Sequence, residues 1–504
     1  MVDTANEART INGLLREAAA AYGDRPAIRF ARNGEVREHS YRDLYRDSLR
    51  LCGALQRRFP AGTHIALTGK TTYRYLVALN AVMMSGCTVV PLAADAPAEE
   101  TVRLLRDADA AVIFYDDALR ESEHVFSACP LLRYAFALDA APEETLPAPE
   151  TVVPRETPEG CAAIIYTSGS TGVRKGAMLT SGAIVSNVYF KEMTFEGGHV
   201  ALNVLPMHHI FSFSCDYLKN LKDGVTVCLN SRLSALGEEL LLFEPTVLRL
   251  VPAIIDSLLR RVRILRKRDP SLSPRAAAER VFGRRLRNII VSGASYSAAN
   301  DAEFQEMGIT IRQGYGMTET GPRIAVPDGS TCAASGGRII SICQVRLQNG
   351  EIQVKSPSLM TGYYKREEET KQAFTADGWF RTGDIGRITE DNELFITGRL
   401  KNVIILPNGE NVSPEEIELR YAAEPLVKEM EVFEHKGRIA AEIVPDRDCA
   451  ARMGIADAET AIRALVEEKN AADIAAREIE EITFRDQPLD KTETGKLKRR
   501  RWTL

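Results

Sequence analysis

Nowhere in the 504 residues do two cysteines form a Cys-x-x-Cys pair, although nine are scattered along the chain. The odd count and irregular spacing argue against a zinc site and a disulfide framework, so free thiols in a reducing compartment are expected. Charge of one sign is also scarce. Sixty-four basic and 69 acidic residues leave a net charge of −5, too balanced for a general attraction to nucleic acid or membrane. Long hydrophobic runs are missing too. The most apolar stretch, 76–94, is broken by Asn80, Ser85-Gly86, Thr88 and Pro91, which divide it into helix, turn and strand. The first residues, MVDTANEART, carry no apolar signal core. These absences point to a soluble, cytoplasmic protein with no nucleic-acid partner and at most peripheral membrane contact.

What is present is an α/β rhythm. Helical spacing of apolar residues at 11–22 and 41–59 alternates with strand patterns at 27–32, 63–67, 88–92 and 111–115. Further apolar strand candidates follow at 201–205, 225–229, 246–250 and 287–292. Such alternation favours sheets covered by helices. The length requires more than one core. A second domain is expected from Gly398, giving an N-terminal domain of 1–397 and a C-terminal domain of 398–504, the latter mixing strands at 402–406, 429–433, 438–444 and 481–485 with helices from Pro414 and at 458–470. The expected fold is therefore α/β, with a large N-terminal domain of helix-covered β-sheets and a small, mobile α+β C-terminal domain. Pro142 to Pro158, rich in Pro, Glu and Thr, reads as a surface connection.

The stretch that carries chemistry is Tyr166 to Gly176, YTSGSTGVRKG. Thr167, Ser168, Ser170 and Thr171 alternate with Gly169 and Gly172, and Arg174 and Lys175 close the run. Glycine lets backbone approach a ligand closely, and hydroxyls, N–H groups and cations suit phosphate oxygens. A flexible Gly/Ser linker needs neither a preceding buried strand nor a closing basic pair. Gly69-Lys70-Thr71 is a decoy, because a Walker-type loop needs a glycine where His64 stands. Between Arg260 and Arg287 lie eleven basic residues against Asp269 and Glu279. That stretch is either a solvated helical face or a landing surface for an acidic partner.

Four further motifs follow in order: Leu205-Pro-Met-His-His209, Gln313-Gly-Tyr-Gly-Met-Thr-Glu-Thr-Gly321, Trp379-Phe-Arg-Thr-Gly-Asp384 and Gly398-Arg-Leu-Lys-Asn402. Pro488-Leu-Asp-Lys-Thr-Glu-Thr-Gly-Lys496 closes the chain. In this order and spacing the set resembles the adenylate-forming superfamily of acyl-CoA synthetases, luciferases and peptide-synthetase adenylation domains, in its long-chain fatty-acyl-CoA ligase-like branch. The resemblance implies ATP-dependent conversion of a carboxylic acid, a fatty acid by preference, to acyl-AMP. Transfer follows to the phosphopantetheine thiol of coenzyme A or of an acidic acyl carrier protein.

It further implies that Thr167, Ser168, Gly169, Ser170, Thr171, Gly172 and Lys175 hold the outer phosphates of ATP. Tyr315, flanked by Gly314 and Gly316, lies against adenine, Thr318 touches the α-phosphate and Glu319 holds Mg2+. Asp384 accepts from the ribose, Arg399 lies near ribose or phosphates, Lys401 is the hinge, and Lys496 bridges carboxylate and α-phosphate. His209 lines the junction of acyl and nucleotide sites, or is a core histidine at a strand end. Amino-acid-activating relatives place an acid just after this histidine. Here 210–215 offers none and Asp216 comes next, so an uncharged acid is expected. A non-catalytic nucleotide-binding protein is the reading from another class. The retention of Lys496 and Glu319 speaks against it.

Overall fold

Residues 9–116, 125, 127–138, 148–167, 174–195, 198–292, 300–328, 331, 335–406, 411–422, 424–471, 478–490, 497 and 499 are described by the computed structural model. Two seven-stranded sheets form its body. The first runs in spatial order Thr310–Gln313, Asn288–Val291, Val247–Leu250, Val200–Asn203, Thr226–Leu229, Pro26–Arg32, Glu35–Ser40. It is parallel except for the terminal hairpin of Pro26–Arg32 and Glu35–Ser40. The second runs Gly362–Tyr363, Lys175–Thr180, Cys161–Thr167, Thr88–Leu92, His64–Thr68, Val112–Tyr115, Tyr134–Ala137. Its centre is parallel, with Lys175–Thr180 antiparallel to both neighbours. Strands buried on both faces read as continuous apolar runs, which is why they were recognisable.

Between the sheets lies the helix Tyr73–Met84, buried at every position from Tyr75 onward. A helix apolar all round has no solvent face to offer. It belongs to the largest core, which takes Ile28 and Val227 from the first sheet and Ile65 and Val89 from the second. The two sheets therefore share one interior. Helices start where side chains can satisfy their first N–H groups. Thr10, Ser40 and Thr72 each accept from the backbone three residues on, and Ser40 with Asp43 forms a capping box.

A four-stranded antiparallel sheet, Gln344–Gln348, Glu351–Lys355, Phe380–Ile388 and Leu394–Arg399, follows the second body sheet. Gly398 and Arg399 are its last residues, so pairing continues past the boundary expected at 398. A separate core then gathers residues from Ile404 to Ile479 around the sheet Val427–His435, Arg438–Pro445, Glu481–Phe484. The expected strand 402–406 is reduced to Ile404–Ile405, because Leu400–Asn402 turn as a 3-10 segment. Ser413 Oγ donates to Thr397 O at 2.8 Å, and a Cβ on Gly398 would stand 1.9 Å from that oxygen. Only glycine permits this approach.

The described end of the connection 148–160 does more than cross the surface. Glu156 Oε1 accepts from Ile11 N and Oε2 from Asn12 N, both at 2.9 Å, and Ser181 Oγ bonds the same carboxylate. One side chain thus satisfies the start of the helix Ile11–Tyr22 from 145 residues away. Replacing Glu156 by Ala strands those donors and is expected to cost about 2 kcal/mol. A thermal unfolding scan should show Tm lowered by several degrees. An unchanged Tm would deny the cap any weight.

Candidate active site

The phosphate-loop motif begins where a strand ends. Cys161–Thr167 and Lys175–Thr180 pair antiparallel with Thr167 opposite Lys175, so the two ends of the motif are cross-strand partners. Ser168, Gly169, Ser170, Thr171 and Gly172 lie outside the described residues. At these ends Thr167 Oγ1 donates to Lys175 O at 3.4 Å, and Arg174 is paired with Glu100 at 2.6 Å. Lys175 Nζ stands 5.1 Å from the ring centre of Tyr363, whose hydroxyl donates to Glu319 Oε1 at 2.9 Å. Burial and the neighbouring Glu319 push that phenol far above its ordinary range, so it remains a donor. Tyr363 is thus the bridge between the loop and Glu319. Sequence reasoning missed it, and only its pairing beside Ala177 could have pointed there.

Thr318 and Glu319 sit on the short turn Thr318–Thr320, and Glu319 O accepts from Met360 N at 2.9 Å. The turn is reached through Gly314, whose N–H donates to Val291 O, and Gly316, where a Cβ would stand 1.7 Å from Pro322 O. No side chain fits at 316.

On the other flank Tyr315 and Asp384 meet. Tyr315 Oη donates to Asp384 Oδ2 at 2.7 Å, while Arg399 Nε lies 2.9 Å from Oδ1. Asp384 and Arg399 are cross-strand partners, which places the guanidinium by register. The Asp384 residue is 4% exposed. Burial, then Asp384, raises the Tyr315 phenol well beyond titration near neutrality. A carboxylate offers about four acceptor positions. Tyr315 and Arg399 take one on each oxygen and leave others for hydroxyl donors. Lys401, exposed in the turn after the strand, has its pKa lowered by partial desolvation and then by Arg399.

His209 closes the turn before a π-helical run, Phe211–Leu218, in which Lys219 N–H donates to Ser214 O five residues back. Its ring lies 4.1 Å from that of His208. Burial, helped by His209 and Arg174, holds His208 down to about 3, so it is a neutral imidazole at physiological pH. Asp216 is wholly buried; Oδ2 accepts from Asn203 at 2.8 Å and Oδ1 pairs with Arg249 at 3.3 Å. Its charge is already matched. Lys496 lies outside the described residues, so its reach toward these groups is not part of the geometry. The Gly69-Lys70-Thr71 turn is held by a carboxylate, Asp116 Oδ2 accepting from Lys70 N at 2.9 Å, the reverse of a phosphate cradle.

Among the described residues no three His, Cys, Asp or Glu converge as a metal cage. Glu319 with one oxygen on Tyr363 fits a different arrangement, a single carboxylate for a hard cation that takes its other ligands from phosphates and water.

Comparison with known proteins agrees with this geometry. Residues 15–364 match the family model described as AMP-binding enzyme, and 401–503 match its C-terminal domain. A feruloyl-CoA synthase from Amycolatopsis is 31% identical over 75% of this chain and 77% of its own length. A long-chain-fatty-acid–CoA ligase from Thermus thermophilus is 27% identical over 83% and 82%. In fold, the chain is similar to an anthranilate CoA ligase solved with anthranoyl-AMP, at a TM-score of 0.82, 16% identity and coverage of 97% and 95%. A Mycobacterium tuberculosis fatty acyl CoA synthetase gives 0.71 at 23% identity, covering 98% and 97%. A Thr167–Lys175 cross-strand pair, a buried Tyr–Asp–Arg group and a Glu-bearing turn are spread along a chain matched by a family model over well more than half its length: this chain belongs to the AMP-binding enzyme family.

Proposed function

We propose that this chain joins a carboxylic acid without an ammonium group to the thiol of coenzyme A, through an acyl-AMP formed at the expense of ATP. Family membership makes it an AMP-forming acid–thiol ligase. The observation that carries the nucleotide side is the Tyr315–Asp384–Arg399 group, a buried carboxylate held by two donors and still able to accept from a diol. The cross-strand pair of Thr167 and Lys175 supplies hydroxyl and cation for the leaving pyrophosphate. Thr318 lies beside Glu319, which would hold Mg2+; the ion would spread phosphate charge as the carboxylate attacks. Arg399 and Lys175 add fixed positive charge on either side, and both half-reactions gather negative charge. Lys496 is assigned the flexible cation that lets two anions meet.

The acid side is supported by what Asp216 does. A fully paired aspartate has no charge to spare for a substrate ammonium, so a free amino acid is disfavoured. Relatives named for feruloyl and long-chain fatty acids bracket the remaining choice, and we assign a fatty acid first. His209, packed against a neutral His208, is assigned to the junction of the two sites. Lys401 is assigned the hinge, because it stands two residues after the last paired residue, Arg399.

The acceptor has a second reading. Arg260, Arg261, Lys267 and Arg268 on the helix Pro252–Arg268 are exposed, as are Arg284 and Arg285 beyond it. An acidic carrier protein carrying the same phosphopantetheine would be drawn there.

Acid-dependent ATP–pyrophosphate exchange across fatty, aryl and amino acids tests the whole reading; exchange with no acid would overturn it. Lys496→Ala should lower that exchange about 100-fold while thioester formation from supplied acyl-adenylate survives. Equal losses would remove Lys496 from the first step. Asp384→Asn should reduce kcat/KM for ATP by about 10-fold or more, and Tyr315→Phe, which leaves Arg399 in place, by less. For the carrier reading, charge reversal at Arg266-Lys267-Arg268 should raise KM for carrier protein and spare that for coenzyme A. Efficient turnover with free coenzyme A alone would settle the acceptor the other way.

A further inference from the structure

Arg249 stands in the middle of the strand Val247–Leu250 and is 0% exposed. One nitrogen, Nη1, donates to Asn220 Oδ1 at 2.9 Å and Asp216 Oδ1 at 3.3 Å. Nε and Nη2 are both buried and have no hydrogen-bond partner among the described residues. These two groups form one edge of the guanidinium plane, with parallel N–H bonds that match the two oxygens of a carboxylate. The Phe195 ring, 5.5 Å from the guanidinium carbon, covers it without supplying an acceptor.

The surroundings do not balance in charge. Arg249, Arg323 and Lys219 are cations of this interior, and Asp216 and Asp223 are its carboxylates. Lys219 is spent on Asp223, at 2.6 Å. Arg323 bonds only neutral groups, the backbone and side chain of Asn187 and of Ser214. Among the described residues three buried cations face two carboxylates, an excess of one positive charge that an anion would offset. The place adjoins the reactive turn, because Ser214 Oγ also lies 3.5 Å from Gly321 O, one residue beyond Thr320. It is built on the π-helical run Phe211–Leu218, a rare geometry that recurs at functional sites.

We propose that the Nε/Nη2 edge of Arg249 is a buried site for one small oxyanion, with a carboxylate as its natural fit. That carboxylate comes either from a free monoanion or from the far end of a two-acid substrate. The second source rests on the ligase reading above; the first does not.

Thermal stability in formate, against chloride and gluconate at constant ionic strength, is measured for the wild-type chain and for Arg249→Met/Asp216→Asn. The double variant removes the fork and its partner charge together, so no lone buried aspartate remains. Formate should raise the wild-type Tm in a saturable way and leave the variant unmoved, as binding to the folded state requires. Equal shifts in both proteins, or none in the wild type with either formate or a dicarboxylic acid, overturn the site. Pyrophosphate exchange with mono- and dicarboxylic acids of matched length then separates the sources. A loss of 10-fold or more in kcat/KM confined to the dicarboxylic acids places the substrate's end on Arg249. Unchanged ratios alongside the formate effect assign a free anion. Exchange with monocarboxylic acids in both proteins keeps the ligase reading intact whatever the outcome at Arg249, and its failure in the wild type would strike that reading alone.

Discussion

The Asp384 carboxylate is the joint on which the site depends. It ties Tyr315, 69 residues earlier, to Arg399, its cross-strand partner, and it does so almost without water. A buried carboxylate needs matched donors, and Tyr315 and Arg399 supply them. Because Tyr315 leads into the Thr318–Thr320 turn and Arg399 leads into Lys401, one interaction sets the positions of two loops. The Glu319–Tyr363–Lys175 chain does the same on the other side, linking that turn to the start of the strand Lys175–Thr180 through one phenol. Preorganised polar groups of this kind cost nothing to reorganise when charge develops.

Much of the body could be read from local pattern. The helices at 11–22 and 41–58 follow apolar spacing and begin at Thr10 and Ser40, whose hydroxyls cap them. The runs at 88–92 and 161–167 are buried strands because nothing polar interrupts their centres. The site motifs were legible as residue types, and their glycines as close approaches, at Gly316 and Gly398 above all. Tyr363, Glu156 and Arg249 were not. Each acts on a partner tens of residues away, a relation that leaves no period in the sequence. Arg249 is the sharpest case. Within Val-Leu-Arg-Leu-Val it reads as a polar intrusion into a strand, and its meaning appears only when Asp216 and Asn220 are brought beside it.

The two body sheets share an interior through the helix Tyr73–Met84, whereas the residues after Asn402 have a core of their own. Packed surroundings therefore hold the groups assigned to the nucleotide. The smaller core meets them where Gly398 touches Ser413 and where Asn402 Nδ2 donates to Glu415 Oε1 at 2.5 Å. A rearrangement of the small core against the body would need few bonds to change.

The strand order also dictates a timetable. The first sheet takes its terminal hairpin from residues 26–40 and the rest from 200–313, while all but one strand of the second comes from 64–180. A ribosome delivering the chain from its N-terminus completes most of the second sheet first. The hairpin Pro26–Ser40 must wait for Thr226–Leu229 before its open edge is paired. During that interval an early-made hairpin lies unpaired at that edge, and the helix between the sheets has only one of its two walls.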